Sequence, residues 1–361
     1  MAIKIDASWG MRNLDKVNHW QRIKLDKYPH DKPVVICLGG NGTVSENAAN
    51  GFCKLAENYL QLLFKENGVN QVYNNVDLIG AVYPMGDNPA KGSLSTDDIN
   101  QFVDDFLIRR IQDDNDELLP LNEACRRLSG VTFFSYCLGH HEVDLILSAF
   151  YRELKLLGYS SQECDILMFS MLEISYAPLT YNSIIPAVFV DSKQDKMLNS
   201  NWNKENQSDK DFNGIELRLE RYGDKLLSDA DTSKAIFDSI HIYSSRLRNN
   251  VESDEHNISI LSRDGSWNTE YEPNADCVSQ MIAWALCRAV ENGIENKNSK
   301  KFIPKITLEK LLEELELIKN GFSSEQLMSE EKTISQYLSW EILNLHKNKF
   351  LSCFDWEFMV K

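Results

Sequence analysis

Residues 131–150 (VTFFSYCLGHHEVDLILSAF) place a cysteine where a buried strand pattern changes into an amphipathic helix pattern. Ser135 and Gly139 are small and stand two residues before and two residues after Cys137. A sharp turn that packs a strand closely against a helix needs small residues at these positions, and it presents the residue at its tip. A helix N-terminus favours a thiolate, and the backbone N–H of Leu138 would face a developing oxyanion. The spacing predicts that Cys137 is a nucleophile. The alternative is a small buried cysteine at a strand end.

This segment resembles the nucleophile elbow of the α/β-hydrolase superfamily, with cysteine in place of the usual serine, as in the dienelactone hydrolase branch. The first glycine of the G-x-S-x-G motif is also replaced, by Ser135. The resemblance implies a cysteine-dependent hydrolase or acyltransferase that acts on an ester, thioester, lactone or amide. It implies neither a cofactor nor a metal.

A glycine-rich turn precedes the elbow in the chain. Residues 33–43 (PVVICLGGNGT) predict a buried strand that ends in the run Gly39-Gly40-Asn41-Gly42. In the superfamily such a turn supplies the second oxyanion donor, which here implies a substrate-binding role for Gly39, Gly40 and Asn41. The same strand, turn and helix order also suits a nucleotide or phosphate site. We favour the oxyanion role because the third glycine of G-x-G-x-x-G falls on Ser45 and no Gly-Lys-Ser/Thr follows.

The resemblance also implies an acid and a base further along the chain. Residues 185–195 (IPAVFVDSKQD) predict an apolar strand and a charged loop, where Asp195 occupies the usual position of the acid and Asp191 is the alternative. His256, in the polar loop that follows the last predicted strand, occupies the position of the base. His241 lies within that strand, where a hydrogen-bonded structural role is expected. The order Cys137, Asp195, His256 is the nucleophile, acid, base order of the superfamily.

A metal site is the other chemistry that the region after the elbow suggests. His140, His141 and Glu142 are consecutive, and Asp144 is close by. Adjacent residues of a helix point about 100° apart, and the H-E-x-x-H spacing of zinc proteases is missing. The sequence therefore predicts no metal, and we expect His140 or His141 to line the pocket mouth or to cap the first helical turn.

The elements that position these residues alternate between short apolar runs and longer helical patterns, which predicts an α/β fold with a mostly parallel central sheet flanked by helices. The runs 33–38 and 131–135 are continuously apolar, as expected of central strands. Strands are expected at 2–6, 20–25, 33–38, 76–83, 131–135, 174–177, 186–190 and 239–243. Helical patterns cover 48–62, which Thr43 and Glu46 would cap, 143–157, which Gly158 would end, and 275–290. The segment 160–173 opens with a helix start signal, and its apolar content also allows a strand.

We expect an α/β-hydrolase-like domain over residues 1–295 and a helical C-terminal extension over 296–361. The polar run ENKNSKK is followed by helical patterns at 307–319 and 324–347, and the polar stretch 199–214 is expected to be a surface loop. The helices of the extension would pack on the main domain or bind a protein partner.

Composition excludes several classes of partner. The 361 residues include 38 Lys and Arg against 54 Asp and Glu, a net charge of −16, which disfavours nucleic acid and anionic lipid. The eight cysteines form no C-x-x-C pair, and neither a secretory signal nor an apolar run of membrane-spanning length is found.

We expect a cytoplasmic protein acting on a small-molecule or acylated substrate, and its polar loops would also suit a bacterial effector translocated into a host cell. The alternatives are a catalytically inactive scaffold that binds a protein partner, and a nucleotide- or phosphate-binding protein.

Overall fold

The fold is described from a computed structural model of the whole chain. The described residues are 7–13, 19–40, 43–64, 76–84, 92–178, 183–192, 215–220, 238–244 and 277–321.

The described strands form a single nine-stranded sheet in the order β2-β1-β4-β3-β5-β6-β7-β9-β8. Strands β4, β3, β5, β6, β7 and β9 run parallel, whereas β1 is antiparallel to β4 and β8 is antiparallel to β9. The strands are β1 Ser8–Asn13, β2 His19–Arg22, β3 Val34–Leu38, β4 Asp77–Val82, β5 Val131–Tyr136, β6 Leu172–Tyr176, β7 Ala187–Ser192, β8 Ile215–Glu220 and β9 Ser239–Ser244.

The strand order reverses between β3 and β5. The chain leaves β3 toward β4 on one side and later returns to β5 on the other. In an open α/β sheet the crevice outside the carboxyl ends of two such strands is the usual place for a ligand. Leu38 pairs with Ser135, so β3 and β5 end at the same level of the sheet.

Helices cover both faces of this sheet. One hydrophobic core contains side chains of α1, α6 and α7, and the other contains side chains of α2, α3, α4 and α5. The helices are α1 Glu46–Phe64, α2 Thr96–Phe102, which continues into a π-helical turn at Val103–Ile108, α3 Leu121–Leu128, α4 Leu138–Leu156, α5 Ser161–Phe169, α6 Cys277–Asn298 and α7 Leu308–Asn320.

The predicted α/β class and the central strands are confirmed. Every residue of β3 and β5 is buried, because side chains alternate between two covered faces. Val35 and Cys37 belong to one core, and Val34, Ile36 and Leu38 belong to the other. Strands β1 and β8 were not predicted, and β2 is shorter than the predicted run 20–25. The predicted strand at 2–6 and the loop at 199–214 lie outside the described residues.

Two helix predictions need correction. Thr43 does not cap α1, because its hydroxyl donates to the carbonyl of Gly40, and the Ser45 hydroxyl accepts the Ala48 N–H instead. The pattern over 160–173 divides into a helix that ends at Phe169 and a strand that begins at Leu172. This strand pairs with β5 and β7, and Glu and Ser alternate with apolar residues along it as in a strand.

Other helix predictions are confirmed. Gly158 follows α4 with a φ of 95°, the left-handed conformation expected after a helix end. The predicted helix at 307–319 corresponds to α7, and the Thr307 hydroxyl caps it by accepting the Lys310 N–H. The predicted helix at 324–347 lies outside the described residues, and the division at residue 295 remains a prediction. Within the described ranges, no helix has the length and apolar character needed to cross a membrane.

Helix α7 shares a hydrophobic core with the sheet. Its buried side chains are Leu308, Leu311, Leu315 and Ile318, and they lie in the same cluster as residues of α1 and α6. An ion pair of 3.0 Å between Arg288 of α6 and Glu314 further joins the two helices.

We predict that Leu315→Ala lowers the free energy of unfolding by about 2–5 kcal/mol, because it removes a fully buried side chain and leaves a cavity. Leu317→Ala is the matched control, since Leu317 lies on the same helix and is 54% exposed; its cost should stay within about 0.5 kcal/mol. Urea denaturation measures both. Equal effects of the two substitutions would contradict the packing of α7 on this core.

Candidate functional site

Cys137 forms the junction between β5 and α4. Its φ of 53° and ψ of −117° lie in a region that non-glycine residues rarely adopt, at a cost of about 1–3 kcal/mol. The Cys137 N–H donates to the carbonyl of Tyr176 on β6, and the His140 N–H donates to the carbonyl of Cys137, both over 3.2 Å. The neighbouring strand and the first turn of α4 therefore hold the cysteine in this strained conformation.

Gly139 permits the close contact between α4 and the end of β3. A Cβ atom on Gly139 would lie 1.9 Å from the carbonyl oxygen of Leu38 and 2.8 Å from that of Gly39. No side chain fits at this position without moving the backbone. The small residue that the sequence pattern requires two positions after Cys137 is thus explained by a specific backbone contact.

The glycine-rich turn lies directly beside the cysteine. A Cβ atom on Gly40 would be 3.5 Å from the Cβ of Cys137 and 3.1 Å from the ring of Tyr136. The turn is fixed by its carbonyls, since Gly40 accepts the Thr43 N–H over 3.0 Å and Gly39 accepts the Tyr83 hydroxyl over 2.8 Å. Backbone of the turn is therefore held next to the Cys137 side chain. Asn41 and Gly42 lie outside the described residues.

Cys137 is 7% exposed, the largest value among the seven described cysteines. Leu138 is the first residue of α4 and is half-buried. A first helical residue has no partner for its N–H in the preceding turn, so this donor is available to a ligand beside Cys137. The other described cysteines are exposed by 3% or less: Cys37, Cys53, Cys125, Cys164, Cys277 and Cys287.

A buried polar network lies directly beneath the elbow. The Ser135 hydroxyl donates to Oε1 of Glu173 over 2.6 Å and lies 2.8 Å from the hydroxyl of Ser175. Nδ1 of His140 is 2.9 Å from the same Glu173 oxygen, and its Nε2 is 3.6 Å from Asp144. Ser135, His140, Glu173 and Ser175 are fully buried.

This network contradicts one of the predicted alternatives for the histidines that follow the elbow, namely that His140 lines the pocket mouth. His140 does not line a pocket mouth, because its ring is fully buried against Glu173 and packs edge-on against Phe189 at 5.1 Å between centroids. His141 is exposed. Within the described residues, no group of three or more His, Cys, Asp or Glu is arranged to hold a metal ion.

Burial shifts several acidic groups near the elbow toward their neutral forms. It raises the pKa of Glu142 to about 7, although the Leu94 N–H donates to this carboxyl, and the charge of Asp98 adds to the shift. Burial also raises the pKa of Asp144 to about 7; Glu173 adds to that shift and His140 opposes it.

The pKa of Tyr83 is raised by burial and by the charges of Glu142 and Cys137, so its hydroxyl remains a donor to the glycine turn.

The structure brings together only part of the predicted site. Cys137, Leu138, Gly39 and Gly40 are adjacent at the carboxyl ends of β3 and β5. Asp191 is a buried residue of β7 that pairs with Tyr243 of β9. Asp195 and His256 lie outside the described residues, so their roles remain predictions.

His241 has the structural role expected of a histidine within a strand. Its Nε2 is 2.9 Å from the Ser239 hydroxyl and its Nδ1 is 2.8 Å from the Tyr243 hydroxyl. Burial, reinforced by the charge of Arg218, lowers the pKa of His241 to about 3. The ring is therefore neutral at physiological pH.

Sequence reasoning missed Glu173, which it placed at the end of a helical pattern. The signal that was available is the alternation in Leu172–Tyr176 (LEISY), where Glu and Ser alternate with apolar residues as in a strand. Tyr83 was also missed as a partner of the glycine turn, because the two are 44 residues apart in the chain.

The chain matches no protein-family model, and no curated protein matches it.

We predict that Gly139→Ala destabilises the protein more than Gly158→Ala does. The Gly139 substitution forces a methyl group against backbone at 1.9 Å, a type of overpacking that costs at least about 1–3 kcal/mol. Gly158 has a positive φ but open space around it, so its substitution costs only the left-handed strain of about 1–2 kcal/mol. Urea denaturation of both variants makes the comparison. An equal or larger loss in Gly158→Ala would contradict the close contact of α4 with β3.

We predict that Glu142→Gln raises the free energy of unfolding relative to the native chain more at pH 8 than at pH 5. The folded-state pKa of about 7 exceeds the usual 4.5, so ionisation favours the unfolded chain, and stability falls as the pH rises through this window. Glu142→Gln lacks the ionisable carboxyl and therefore avoids this loss. Between pH 5 and pH 8 its free energy of unfolding should rise, relative to that of the native chain, by up to about 3 kcal/mol. Urea denaturation at both pH values measures it.

Glu163→Gln is the control, because hydrogen bonds from the Ser160 N–H and hydroxyl keep the pKa of Glu163 below its usual value. Its effect should not change between pH 5 and pH 8, since Glu163 is then ionised in both the folded and the unfolded chain. The same pH dependence for native protein and Glu142→Gln would show that the Glu142 carboxyl does not titrate as described.

Proposed function

We propose that the protein is a cysteine-dependent hydrolase or acyltransferase with Cys137 as its nucleophile. The observation that supports this most strongly is the strained left-handed backbone of Cys137 at the point where the strand order reverses. Strain of this kind persists only where the surrounding structure enforces it, and it concentrates at functional sites. The position next to Gly40 adds a second backbone segment from which an acyl group can be contacted.

The reaction would proceed by acyl transfer to sulfur. The Cys137 sulfur attacks the carbonyl carbon, and its proton passes to the base, for which we propose His256. The backbone N–H groups of Leu138 and Gly40, with that of Asn41, would stabilise the resulting oxyanion. The leaving group departs with the proton held by the base. Water or another acceptor then attacks the acyl-enzyme and restores the thiol.

The positions of β7 and β9 in the sheet support the proposed acid and base. Parallel strands place their carboxyl ends at one edge of the sheet, so the chain leaves β7 and β9 at the edge where Cys137 lies. Ser192 and Ser244, their last residues, pair with each other. Asp195 follows β7 by three residues and His256 follows β9 by twelve. Asp191 on β7 is the alternative acid.

We expect Cys137→Ala to abolish acetylation of the protein by p-nitrophenyl acetate, because the ester carbonyl would then lack its nucleophile. Release of p-nitrophenol and the mass of the acetylated peptide measure the reaction. Cys164→Ala is the matched control, since Cys164 is a fully buried described cysteine on α5, and it should react like the native chain. Both variants should retain the native melting temperature within a few degrees.

Equal acetylation of the native chain and Cys137→Ala would disprove the assignment. Failure of the native chain to react at all would favour the inactive scaffold. Stabilisation of the unreactive protein by inorganic phosphate or by a nucleotide in a thermal-shift measurement would favour the phosphate-binding alternative. Given acetylation, comparison of His256→Ala, Asp195→Asn and Asp191→Asn identifies the base and the acid.

A further inference from the structure

A single carboxylate oxygen contacts both sides of the elbow. Oε1 of Glu173 is 2.6 Å from the Ser135 hydroxyl, two residues before Cys137, and 2.9 Å from Nδ1 of His140, three residues after it. We infer that Glu173 is a positioning residue that closes the elbow and thereby aligns Cys137 and the Leu138 N–H for acyl transfer. The inference rests on the proposed function, because alignment matters only if Cys137 reacts.

Glu173 is rigidly held. Its Cα pairs with Phe133 of β5 on one side and with Ala187 of β7 on the other, and its N–H donates to the carbonyl of Pro186 over 3.0 Å. The side chain is fully buried. A buried carboxyl group is costly unless it is hydrogen-bonded, so the contacts with Ser135 and His140 offset the burial of Glu173 as well as fixing the shape of the elbow.

The other contacts of His140 restrict its ring. Asp144, one helical turn further along α4, lies 3.6 Å from Nε2, and the Phe189 ring packs edge-on against the imidazole. With Nδ1 directed to Glu173, the ring is contacted at both nitrogens and on one side. His140 therefore links β6 to the first turn of α4. The first residue of this helix is Leu138, the proposed oxyanion donor.

Strand β6 contacts the elbow through its backbone and through the side chains of Glu173 and Ser175. The carbonyl of Tyr176 accepts the Cys137 N–H, and Glu173 contacts Ser135 and His140. The left-handed φ of Cys137 costs energy and must be imposed by its surroundings. If the Glu173 contacts are lost, the Tyr176 hydrogen bond to Cys137 and the contact between the Ser135 and Ser175 hydroxyls remain from β6. We therefore expect that losing the Glu173 contacts misaligns Cys137 but leaves its thiol in place.

Ser135 and Ser175 provide a matched pair of test variants. They occupy paired positions on β5 and β6, and both are fully buried. Ser135→Ala removes the contact with Glu173 together with the contact between the two hydroxyls, whereas Ser175→Ala removes only the latter. The difference between the two variants isolates the Glu173 contact.

Two reagents that attack the same thiol separate alignment from exposure. Acetylation by p-nitrophenyl acetate develops an oxyanion and depends on the backbone donors, whereas alkylation by iodoacetamide develops none. We expect Ser135→Ala to lower the rate of Cys137 acetylation about tenfold, as a small misplacement of reacting groups does, with alkylation within about twofold of native. Ser175→Ala should leave both rates within about twofold of native, because it does not touch Glu173.

Substitutions of Glu173 itself extend the test. Glu173→Gln keeps an oxygen that can accept from Ser135 and should lose less acetylation than Glu173→Leu, which keeps none. In the Glu173→Leu background the further substitution Ser135→Ala should have no additional effect on the acetylation rate, because both changes break one contact. Alkylation of the buried cysteines, such as Cys164 and Cys287, reports whether each variant remains folded. If Glu173→Leu unfolds, Glu173→Gln replaces it in the cycle.

The outcomes separate the two proposals. If the native chain is not acetylated at Cys137, the proposed function fails and the inference fails with it. If the native chain is acetylated and folded Ser135→Ala reacts as fast as Ser175→Ala, the proposed function stands and the positioning role of Glu173 is overturned. A loss of acetylation and alkylation in equal measure would also overturn it, because that result indicates a less accessible thiol and not a misaligned one.

Discussion

The backbone conformation of Cys137 is the constraint on which the surrounding structure depends. Helix α4 begins one residue after β5 ends, so the whole change of direction takes place at Cys137, in a left-handed conformation that costs about 1–3 kcal/mol. Packing α4 this close to β3 excludes any side chain at Gly139. It also sets the glycine turn at Gly40 against the cysteine. The strain is thus tolerated because two strands and a helix, each part of a packed core, fix the turn from different sides.

The two faces of the sheet differ in polarity next to the turn at Cys137. The face covered by α1, α6 and α7 is an apolar core, and it supplies most of the hydrophobic burial beside β5 and β6. The opposite face becomes polar along β5 and β6, at Ser135, Glu173 and Ser175. A polar cluster there has a directional geometry that apolar packing lacks, so it can specify one arrangement of the elbow. The same burial raises the pKa of Glu142 and Asp144 to about 7, so both are partly protonated near neutral pH, which reduces the repulsion among carboxyl groups in a chain of net charge −16.

How much the sequence predicted depended on whether the determining contacts are local. The elbow and the central strands were predictable, because Ser135, Gly139 and the apolar run of β3 carry their signals within a few residues. Strand β1 was missed because its sequence, SWGMRN, has no regular alternation and its pairing is decided by β2 and β4. The role of Glu173 was missed because its two partners lie 38 and 33 residues away, so the local pattern of Leu172–Tyr176 indicates a strand but not the contacts of this carboxyl group.

The sheet order also limits where the remaining chemistry of the site can come from. Cys137 and the glycine turn occupy the carboxyl ends of β5 and β3, so any further group must enter from a strand end at the same edge. Strands β6, β7 and β9 are parallel to β5 and end there, in the order in which they follow it along the chain. After β6 the chain turns at Ala177, whose φ of 46° is left-handed like that of Cys137, and its N–H donates to Val190 of β7. Strand β6 itself contacts the elbow through Tyr176 and Glu173. Tyr83, which follows β4, reaches the glycine turn from the same edge. The chain that follows β7 and β9, with the proposed acid Asp195 and the proposed base His256, also leaves the sheet there.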